Sequence, residues 1–147
     1  MVEMDAATAG AAWWMRPARV EDAEALCALW QRCGLHLPAE PVAVEVARKL
    51  ERDPDLFLVI ERAGRVIASA MGSYDSRRGW INRLAVAPEQ RGQRLGAHLL
   101  AEVERRLRAK GCPTLNLLIE RDNVAEQRYY ERLGYAADDL IFMEKWL

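Results

Sequence analysis

The stretch "LAVAPEQRGQRLGAHLL", residues 84–100, joins an apolar run to a helical repeat through a turn that holds two glycines and two arginines. The first N–H groups of a helix have no partner within it, and the helix dipole adds partial positive charge there. Phosphate groups satisfy both features, and glycines let a ligand come close to the backbone. Gly92 and Gly96 therefore indicate a phosphate or diphosphate site, to which Arg91 and Arg94 add charge.

A surface turn with solvated arginines has the same residue types, so the hexapeptide RGQRLG, residues 91–96, does not by itself establish a ligand. Two familiar nucleotide loops are excluded, because the turn has neither a Gly-Lys-Ser/Thr ending nor the three-glycine dinucleotide spacing. Arg94 stands where a third glycine would be natural. Since a residue that enters a helix normally has a negative φ, we expect helix-like backbone at Arg94, with its N–H directed at the phosphate.

Hydrophobic periodicity defines the elements that position this turn. Apolar residues at every fourth position predict a helix from about residue 93 to 110, which Gly111 ends. Two earlier helices are predicted, the first capped by Asp22 and the second over residues 42–50. A fourth opens at Asn123. Strands are predicted at the runs WWMRPA, DLFLVIE, VIASAMGSYD, WINRLAV, TLNLLIE and LIFMEKW.

The predicted order is strand, two helices, three strands, helix, strand, helix, strand. The two strand–helix–strand units predict right-handed crossovers and local parallel pairing. DLFLVIE and VIASAMGSYD predict a hairpin that turns at Gly64. The fold class is therefore α/β or α+β, with helices packed against a mixed sheet.

Bulk composition limits the partners. The chain has 147 residues and a net charge of −1, which argues against nucleic-acid and membrane-surface binding because both depend on summed positive charge. We expect residues 1–11 to be a flexible extension and residues 12–147 to form a single domain.

The cysteines and histidines are too few for a typical zinc or disulfide framework. Three cysteines without a CxxC pair, with two histidines, are best interpreted as free thiols, and no metal is expected. No apolar run approaches the ~20 residues of a membrane span, and the acidic start does not resemble a signal peptide. We therefore expect a cytoplasmic protein.

A second segment makes the turn recognisable. "LAVAPEQRGQRLGAHLL" resembles the coenzyme A loop of the GCN5-related N-acetyltransferase (GNAT) superfamily, whose pattern is R/Q-x-x-G-x-G/A. "NLLIERDNVAEQRYYERLGY" is similar to a later strand and helix of that superfamily, in which an Asn precedes a Tyr by seven residues. "MRPARVEDAEALCALW" resembles its first strand and helix. Further segments are similar to a small bacterial subgroup around the YpeA acetyltransferase.

The resemblance implies a fold whose mostly antiparallel sheet is splayed between its fourth and fifth strands, WINRLAV and TLNLLIE, with about four flanking helices. The pantetheine arm of acetyl-CoA lies in that gap. It bonds to the backbone of Leu84, Ala85 and Val86. The diphosphate lies on the loop of Arg91, Gly92, Gln93, Arg94, Leu95, Gly96 and Ala97.

The implied reaction is direct attack of a primary amine on the acetyl-CoA thioester in a ternary complex. The departing thiolate needs a proton, and Tyr130 is the expected donor, because a positioned phenol of pKa ~10 can protonate or hydrogen-bond a thiolate. Asn123 is expected to cap the last helix and, by the resemblance, to contact the cofactor arm together with Tyr130. A backbone N–H near Val86 is the expected oxyanion donor.

The general base is left open. Family members often carry a Glu in the strand before the turn, but this sequence has Asn82 and Arg83 there. Asp75, Glu120 or a water chain are the alternatives. The alternative function is a GNAT-fold module that binds acyl-CoA without turnover. The acceptor is a small molecule, a protein N-terminus or a lysine, and the protein is a monomer or a homodimer whose final strand pairs across the interface.

Overall fold

The described residues contain one six-stranded sheet, whose strands lie side by side in sequence order. The computed structural model describes residues 2–4 and 12–147. Each neighbouring pair of strands is antiparallel except the last, which is parallel. A mixed, mostly antiparallel sheet is thereby confirmed. The strands are β1 (Val2–Met4), β2 (Trp13–Pro17), β3 (Phe57–Arg62), β4 (Arg65–Tyr74), β5 (Gly79–Val86) and β6 (Leu115–Asn116).

The predicted hairpin lies at the centre of this sheet as β3 and β4. Ala63 and Gly64 both have positive φ values, of 51° and 75°, as a two-residue hairpin turn matching the twist of its strands requires. The middle of β3 is buried on both faces, with Leu58, Val59 and Ile60 0% exposed. An uninterrupted apolar run in the sequence therefore forms a central strand.

Four helices are present among the described residues: α1 (Ala23–Arg32), α2 (Val42–Arg52), α3 (Leu95–Ala109) and α4 (Val124–Arg132). The predicted repeat of α3 is confirmed, because its leucine and valine side chains are at most 2% exposed and α3 packs against β4 and β5. Burying one such side chain contributes roughly 1.5–3 kcal/mol. Gly72 allows this packing, since a Cβ at that position would lie 2.7 Å from Cγ1 of Val103.

Asp22 does not cap α1 as predicted. A short 3-10 turn, Val20–Asp22, precedes the helix, and the carboxylate of Asp22 makes no cap hydrogen bond to it. The carboxylate instead accepts two hydrogen bonds from the buried guanidinium of Arg16, of 2.8 and 2.9 Å, and one from the backbone N–H of Arg19. A buried arginine competes more strongly for a carboxylate than a helix N-terminus does, because its paired N–H groups match both oxygens.

The chain divides into two compact units, Met1–Leu117 and Leu118–Leu147. The first contains the sheet and helices α1 to α3, and the second contains α4. The single domain over residues 12–147 stays a prediction. Val2–Met4 form β1, whereas residues 1 and 5–11 of the predicted flexible extension lie outside the described residues.

Two predicted strands differ from the structure. The run TLNLLIE contributes β6, which is Leu115–Asn116 alone, and the run LIFMEKW forms no strand. Ile141 and Trp146 in that last run are 88% and 89% exposed. An apolar run becomes a strand only where a partner strand supplies hydrogen bonds, so the second predicted strand–helix–strand unit is wrong. The first predicted strand–helix–strand unit is confirmed as β5, α3 and β6, and its two strands pair in parallel.

Candidate active site

The predicted cofactor-binding strand is β5, which presents a free edge beyond its first residues. Its pairing with β6 is confined to Gly79 and Trp80, and β6 ends at Asn116. On its other edge, β5 pairs with β4 as far as Val86. The described part of the first unit therefore leaves the β6-side edge of β5 unpaired from Ile81 onward, as the splay of the resembled fold requires.

A β-bulge decides which peptide groups of β5 face this edge. Met71 pairs with Asn82, whereas Ser69 pairs with Ala85, so Arg83 and Leu84 together lie opposite Ala70. Arg83 has a φ of 54°, in the left-handed region. No sequence signal indicated the bulge, because Gly, Asn or Asp is the usual residue at such a position.

Hydrogen bonds show the shift that the bulge produces. Before it, the N–H of Gly79 points toward β6 and donates to the carbonyl of Thr114 at 2.8 Å. After it, the N–H of Ala87 points toward β4 and donates to the carbonyl of Ile67 at 2.8 Å. Backbone N–H groups point to alternate edges from one residue to the next along a strand, so those of Gly79 and Ala87 would point to the same edge without a bulge. The N–H and carbonyl of Val86 therefore face the free edge.

The glycine turn follows directly after this strand. A 3-10 turn, Pro88–Gln90, leads into Gly92, which has a φ of 85°. A Cβ at Gly92 would meet no heavy atom within 4 Å, so the space beside this backbone is open. The turn thus has the room that an anion at the start of α3 needs.

Arg94 corrects the prediction of helix-like backbone. It is the N-cap residue of α3 with φ 62° and ψ 23°, a left-handed conformation, and its side chain makes no cap hydrogen bond. The expected negative φ was wrong, because the N-cap lies outside the helix and the sharp turn after Gly92 reverses the chain there. Arg94 is exposed, so its guanidinium faces solvent at the open end of the helix.

Contacts bring the end of the strand and the turn together. Arg91 folds back so that its Nε donates to the Val86 carbonyl at 3.1 Å, and the thiol of Cys33 donates to the same carbonyl at 3.4 Å. Two predicted cofactor-binding residues are thereby adjacent. Cys33 was not singled out for the site, because a lone cysteine carries no sequence signal.

A buried arginine supports the turn through hydrogen bonds to two of its side chains. Arg62, 8% exposed at the end of β3, donates through Nη1 to the side-chain oxygens of Gln90 and Gln93. The Gln93 amide in turn donates to the carbonyl of Gln90 at 3.2 Å. The side chain of Gln93 thus shapes the turn, and its backbone N–H is the group left for a ligand. Arg62 was also missed, because it is far from the turn in sequence.

The second unit contains the other two predicted site residues. Asn123 caps α4 as predicted, since its Oδ1 accepts from the N–H of Glu126 at 3.1 Å. Its Nδ2 donates to the Glu126 carboxylate at 2.7 Å. The second bond joins the two side chains, so it differs from a capping box, in which the backbone N–H of the N-cap residue is the donor. One amide hydrogen of Asn123 remains for a further acceptor.

Tyr130 is 5% exposed on α4, with the rings of Tyr129 and Tyr135 edge-on at 5.3 and 5.6 Å between centroids. Burial, followed by the charge of nearby Glu126, raises the pKa of the Tyr130 phenol above its ordinary value. The phenol is therefore protonated at neutral pH. No hydrogen-bond partner of its hydroxyl is found in the described part of the chain, so the proton is not committed to a protein acceptor.

The candidate bases separate by position. Asp75 caps the turn between β4 and β5, where it accepts from the N–H groups of Arg77 and Arg78 at 2.8 and 2.7 Å. These bonds, that from Arg78 first, lower its pKa. The turn lies at the Gly79 end of β5, roughly 20 Å from Ala85 at ~3.3 Å per residue. Asp75 is therefore unsuited as the base. Glu120 lies in the second unit.

A carboxylate that the sequence did not place in the site lies beside the bulge. Glu45 of α2 accepts from Nη2 and Nε of Arg83 at 2.8 and 3.0 Å. Arg83 also donates to the carbonyl of His36, in the loop before α2. A carboxylate is therefore near this strand position in space, although the sequence has Asn82 and Arg83 there, and both oxygens of Glu45 are bonded to Arg83.

No helix among the described residues is long and apolar enough to cross a membrane. The same residues contain no group of three or more His, Cys, Asp or Glu side chains placed to hold a metal ion. The three cysteines are free thiols.

Comparisons with known proteins agree with this geometry. Residues 15–135 match the Acetyltransferase (GNAT) family. An acetyltransferase of Sodalis glossinidius is 41% identical over 129 residues, which are 88% of this chain and 91% of that protein. An acetyltransferase of Pectobacterium atrosepticum is also 41% identical, over 88% of this chain and 92% of that protein. The chain belongs to the GNAT family of acetyltransferases.

Solved structures show the same fold. The aminoglycoside N-acetyltransferase AAC(6')-Iy in complex with CoA has a TM-score of 0.77 at 20% identity, covering 94% of this chain and 97% of that one. The PaiA N-acetyltransferase of Thermoplasma acidophilum in complex with coenzyme A has a TM-score of 0.74 at 20% identity, covering 88% and 92%. These likenesses confirm the GNAT fold. The family match and the two relatives confirm the prediction of an acetyltransferase, and they do not specify the acceptor amine.

Proposed function

We propose that this acetyltransferase binds acetyl-CoA along the free edge of β5 and on the turn that opens α3. One observation carries the proposal: after the bulge, the N–H and carbonyl of Val86 face the free edge. The carbonyl also accepts a hydrogen bond of 3.1 Å from Nε of Arg91 in the turn. An unpaired strand edge offers the alternating donors and acceptors that an amide-bearing arm such as pantetheine needs. The adjacent helix start offers N–H groups for a diphosphate.

The proposed cofactor-binding set is the predicted one. Leu84 and Val86 belong to the edge, with Ala85 between them. The turn contributes Arg91 and Arg94 as cations, and its remaining members offer backbone N–H groups. Asn123 and Tyr130 of α4 complete the set. The turn members are Gly92, Gln93, Leu95, Gly96 and Ala97.

In the proposed reaction, the neutral amine attacks the thioester carbonyl carbon, and a C–N bond forms as the carbonyl oxygen becomes an oxyanion. The N–H of Val86 is the proposed oxyanion donor, fixed before the reaction by the sheet. The C–S bond then breaks, and the sulfur takes the proton of the Tyr130 phenol. The attached ammonium loses one proton to the base, and the Tyr130 phenolate regains a proton from water, so that the products are an acetamide and free CoA.

Glu120 or water is the proposed base, because the two carboxylates considered in the first unit are engaged. Asp75 is held by two backbone N–H groups far along β5, and Glu45 is paired with Arg83. Two solved structures of this fold hold bisubstrate analogues, one of the aminoglycoside N-acetyltransferase AAC(6')-Iy and the other of Naa20. The acceptor here is proposed as a primary amine, on a small molecule, a protein N-terminus or a lysine.

We further propose a cytoplasmic monomer or homodimer, and partners that include neither nucleic acid nor a membrane. The free thiols and the net charge of −1 support these points. The apolar residues near the C-terminus are exposed in the chain on its own, which supports pairing between two copies.

The test is CoA-thiol release from acetyl-CoA across a panel of aminoglycosides, polyamines, free amino acids and peptides. At least one amine should raise release well above the amine-free rate. Saturating acetyl-CoA should also raise the melting temperature, because a ligand at ~100 times its Kd adds about 2.7 kcal/mol. If no amine raises thiol release and acetyl-CoA does not shift the melting temperature, the proposed function is refuted.

A further inference from the structure

Three residues outside the cofactor set contact Arg83 in the β5 bulge. We propose that Trp30, Ser69 and Glu45 are positioning residues that lock Arg83 in its left-handed conformation, and so keep Val86 directed at the thioester. The proposal rests on the proposed function, because Val86 matters only if acetyl-CoA lies on this edge.

The first restraint acts on the backbone of Arg83. The hydroxyl of Ser69 donates to the Arg83 carbonyl at 2.7 Å, and the indole N–H of Trp30 donates to the same hydroxyl at 2.9 Å. Ser69 and Trp30 are both 0% exposed. In such a site a chain of hydrogen bonds has no competing water, so the carbonyl direction is fixed by its partners.

The second restraint acts on the side chain of Arg83. Its guanidinium is bonded at two points by Glu45 and lies over the Trp30 ring, 4.5 Å from the centroid. The Arg83 side chain is 16% exposed and that of Glu45 is 25% exposed. Trp30 thus contacts Arg83 twice, through Ser69 at the carbonyl and through its ring face at the side chain.

The position of the bulge explains why these contacts bear on catalysis. A shift of one residue in the pairing of β5 would exchange the residues that face the free edge with those that face β4. Val86 would then lose its outward N–H, and the oxyanion would lose its donor. The turn would keep the bonds from Arg62 to Gln90 and Gln93, although Arg91 would lose its bond to the Val86 carbonyl.

The consequence is a split between turnover and binding. Loss of a restraint should lower kcat about ten-fold or more, because oxyanion donors act in the transition state. The KM for acetyl-CoA should rise by a smaller factor than that by which kcat falls, because the turn keeps its Arg62 contacts while the β5 edge loses part of its bonding to the cofactor arm. A residue that serves stability alone would lower the fraction of folded enzyme and leave the kcat of the folded molecules unchanged.

Two pairs of variants test this. Ser69→Ala removes the hydroxyl, and Ser73→Ala is the matched control on the same strand, opposite Trp80 at the other end of β5. Arg83→Gly and Arg83→Ala both remove the side chain, but glycine adopts a positive φ without strain. Arg83→Gly should therefore retain more kcat than Arg83→Ala, which separates the backbone from the guanidinium.

The readouts are kcat and KM for acetyl-CoA at a saturating amine, with active-site titration by CoA binding so that rates refer to folded protein. A kcat of Ser69→Ala at least ten-fold below that of Ser73→Ala, with a smaller rise in KM, supports the proposal. Equal kcat in the two, while the wild type turns over, overturns it and leaves the proposed function standing. A wild type that neither binds acetyl-CoA nor turns over overturns both together.

Discussion

Replacing Arg94 by glycine is predicted to stabilise the protein and to weaken coenzyme A binding at the same time. At φ 62° and ψ 23°, Arg94 holds a conformation that costs an L-residue roughly 1–2 kcal/mol. Glycine escapes this cost, although its greater freedom in the unfolded chain costs about 0.5–1 kcal/mol. The net gain in unfolding free energy is therefore up to about 1.5 kcal/mol, at about 3 °C in Tm per kcal/mol for a domain of this size.

The effect on binding comes from the charge. The Arg94 side chain is exposed, so its attraction for a phosphate is screened and worth roughly 0.2–1 kcal/mol. Both Arg94→Gly and Arg94→Ala should weaken acetyl-CoA binding about two- to five-fold. Arg94→Ala keeps the Cβ and hence the strain, so it should not gain in Tm.

Differential scanning calorimetry and titration calorimetry on the two variants measure these quantities independently. The expected pattern is a higher Tm for Arg94→Gly than for Arg94→Ala, with equal losses of affinity. A lower Tm for Arg94→Gly would refute the left-handed backbone. Unchanged affinity in both variants would show that the guanidinium does not contact a phosphate.

Three further predictions concern the turn, the phenol and a surface ion pair. Gly92→Asp places a carboxylate in open space beside the turn and should weaken acetyl-CoA binding more than ten-fold. The neutral isosteric variant Gly92→Asn should bind acetyl-CoA much more tightly than Gly92→Asp does. Equal affinities of the two variants in titration calorimetry would refute the diphosphate site. Tyr130→Phe should lower kcat at least ~100-fold with little change in KM, which thiol-release kinetics would contradict if the rate persisted. Because the folded pKa of Tyr130 is raised, its stabilising contribution is complete below the unfolded value of ~10 and is lost as pH rises further, so the fall in Tm above pH ~10 should be smaller in Tyr130→Phe. Hydrogen bonding to Arg105, and then to Arg106, lowers the pKa of Glu102 to about 2, so its contribution is present above the unfolded pKa of ~4.5 and is lost as pH falls toward 2. Since Arg105 is 65% exposed, this contribution is about 1 kcal/mol, and acid unfolding of Glu102→Gln should show its loss.

Features that depend on local sequence were predictable. The every-fourth-residue repeat of α3 and the cap at Asn123 each arise from residues within a few positions of one another, and both are confirmed. The hairpin at Gly64 follows for the same reason.

Features that depend on distant partners were not predictable. The bulge at Arg83 is held by Ser69 and Trp30, which lie 14 and 53 residues away, and arginine gives no hint of a positive φ. Asp22 was predicted to cap a helix because the sequence does not show that Arg16 is its buried partner. The apolar run at residues 140–146 has strand composition, but composition supplies no partner strand.

The candidate site divides in the same way. The turn could be found from residue types and the chemistry of helix starts, and its connection to Tyr130 came from the resemblance to a family. The outward direction of Val86, the contact from Cys33 and the support by Arg62 required coordinates. These are the contacts that convert a glycine-bearing turn into a shaped site.

Hydrogen–deuterium exchange with and without saturating acetyl-CoA tests the placement of the cofactor most directly. We predict slowed exchange in peptides that cover Leu84–Val86 and Arg91–Ala97, because the ligand would occupy their backbone N–H groups. Gly92→Asp at the same ligand concentration should lose this protection. Protection confined to other segments, or none in these two at saturation, would contradict a coenzyme A site between β5 and α3.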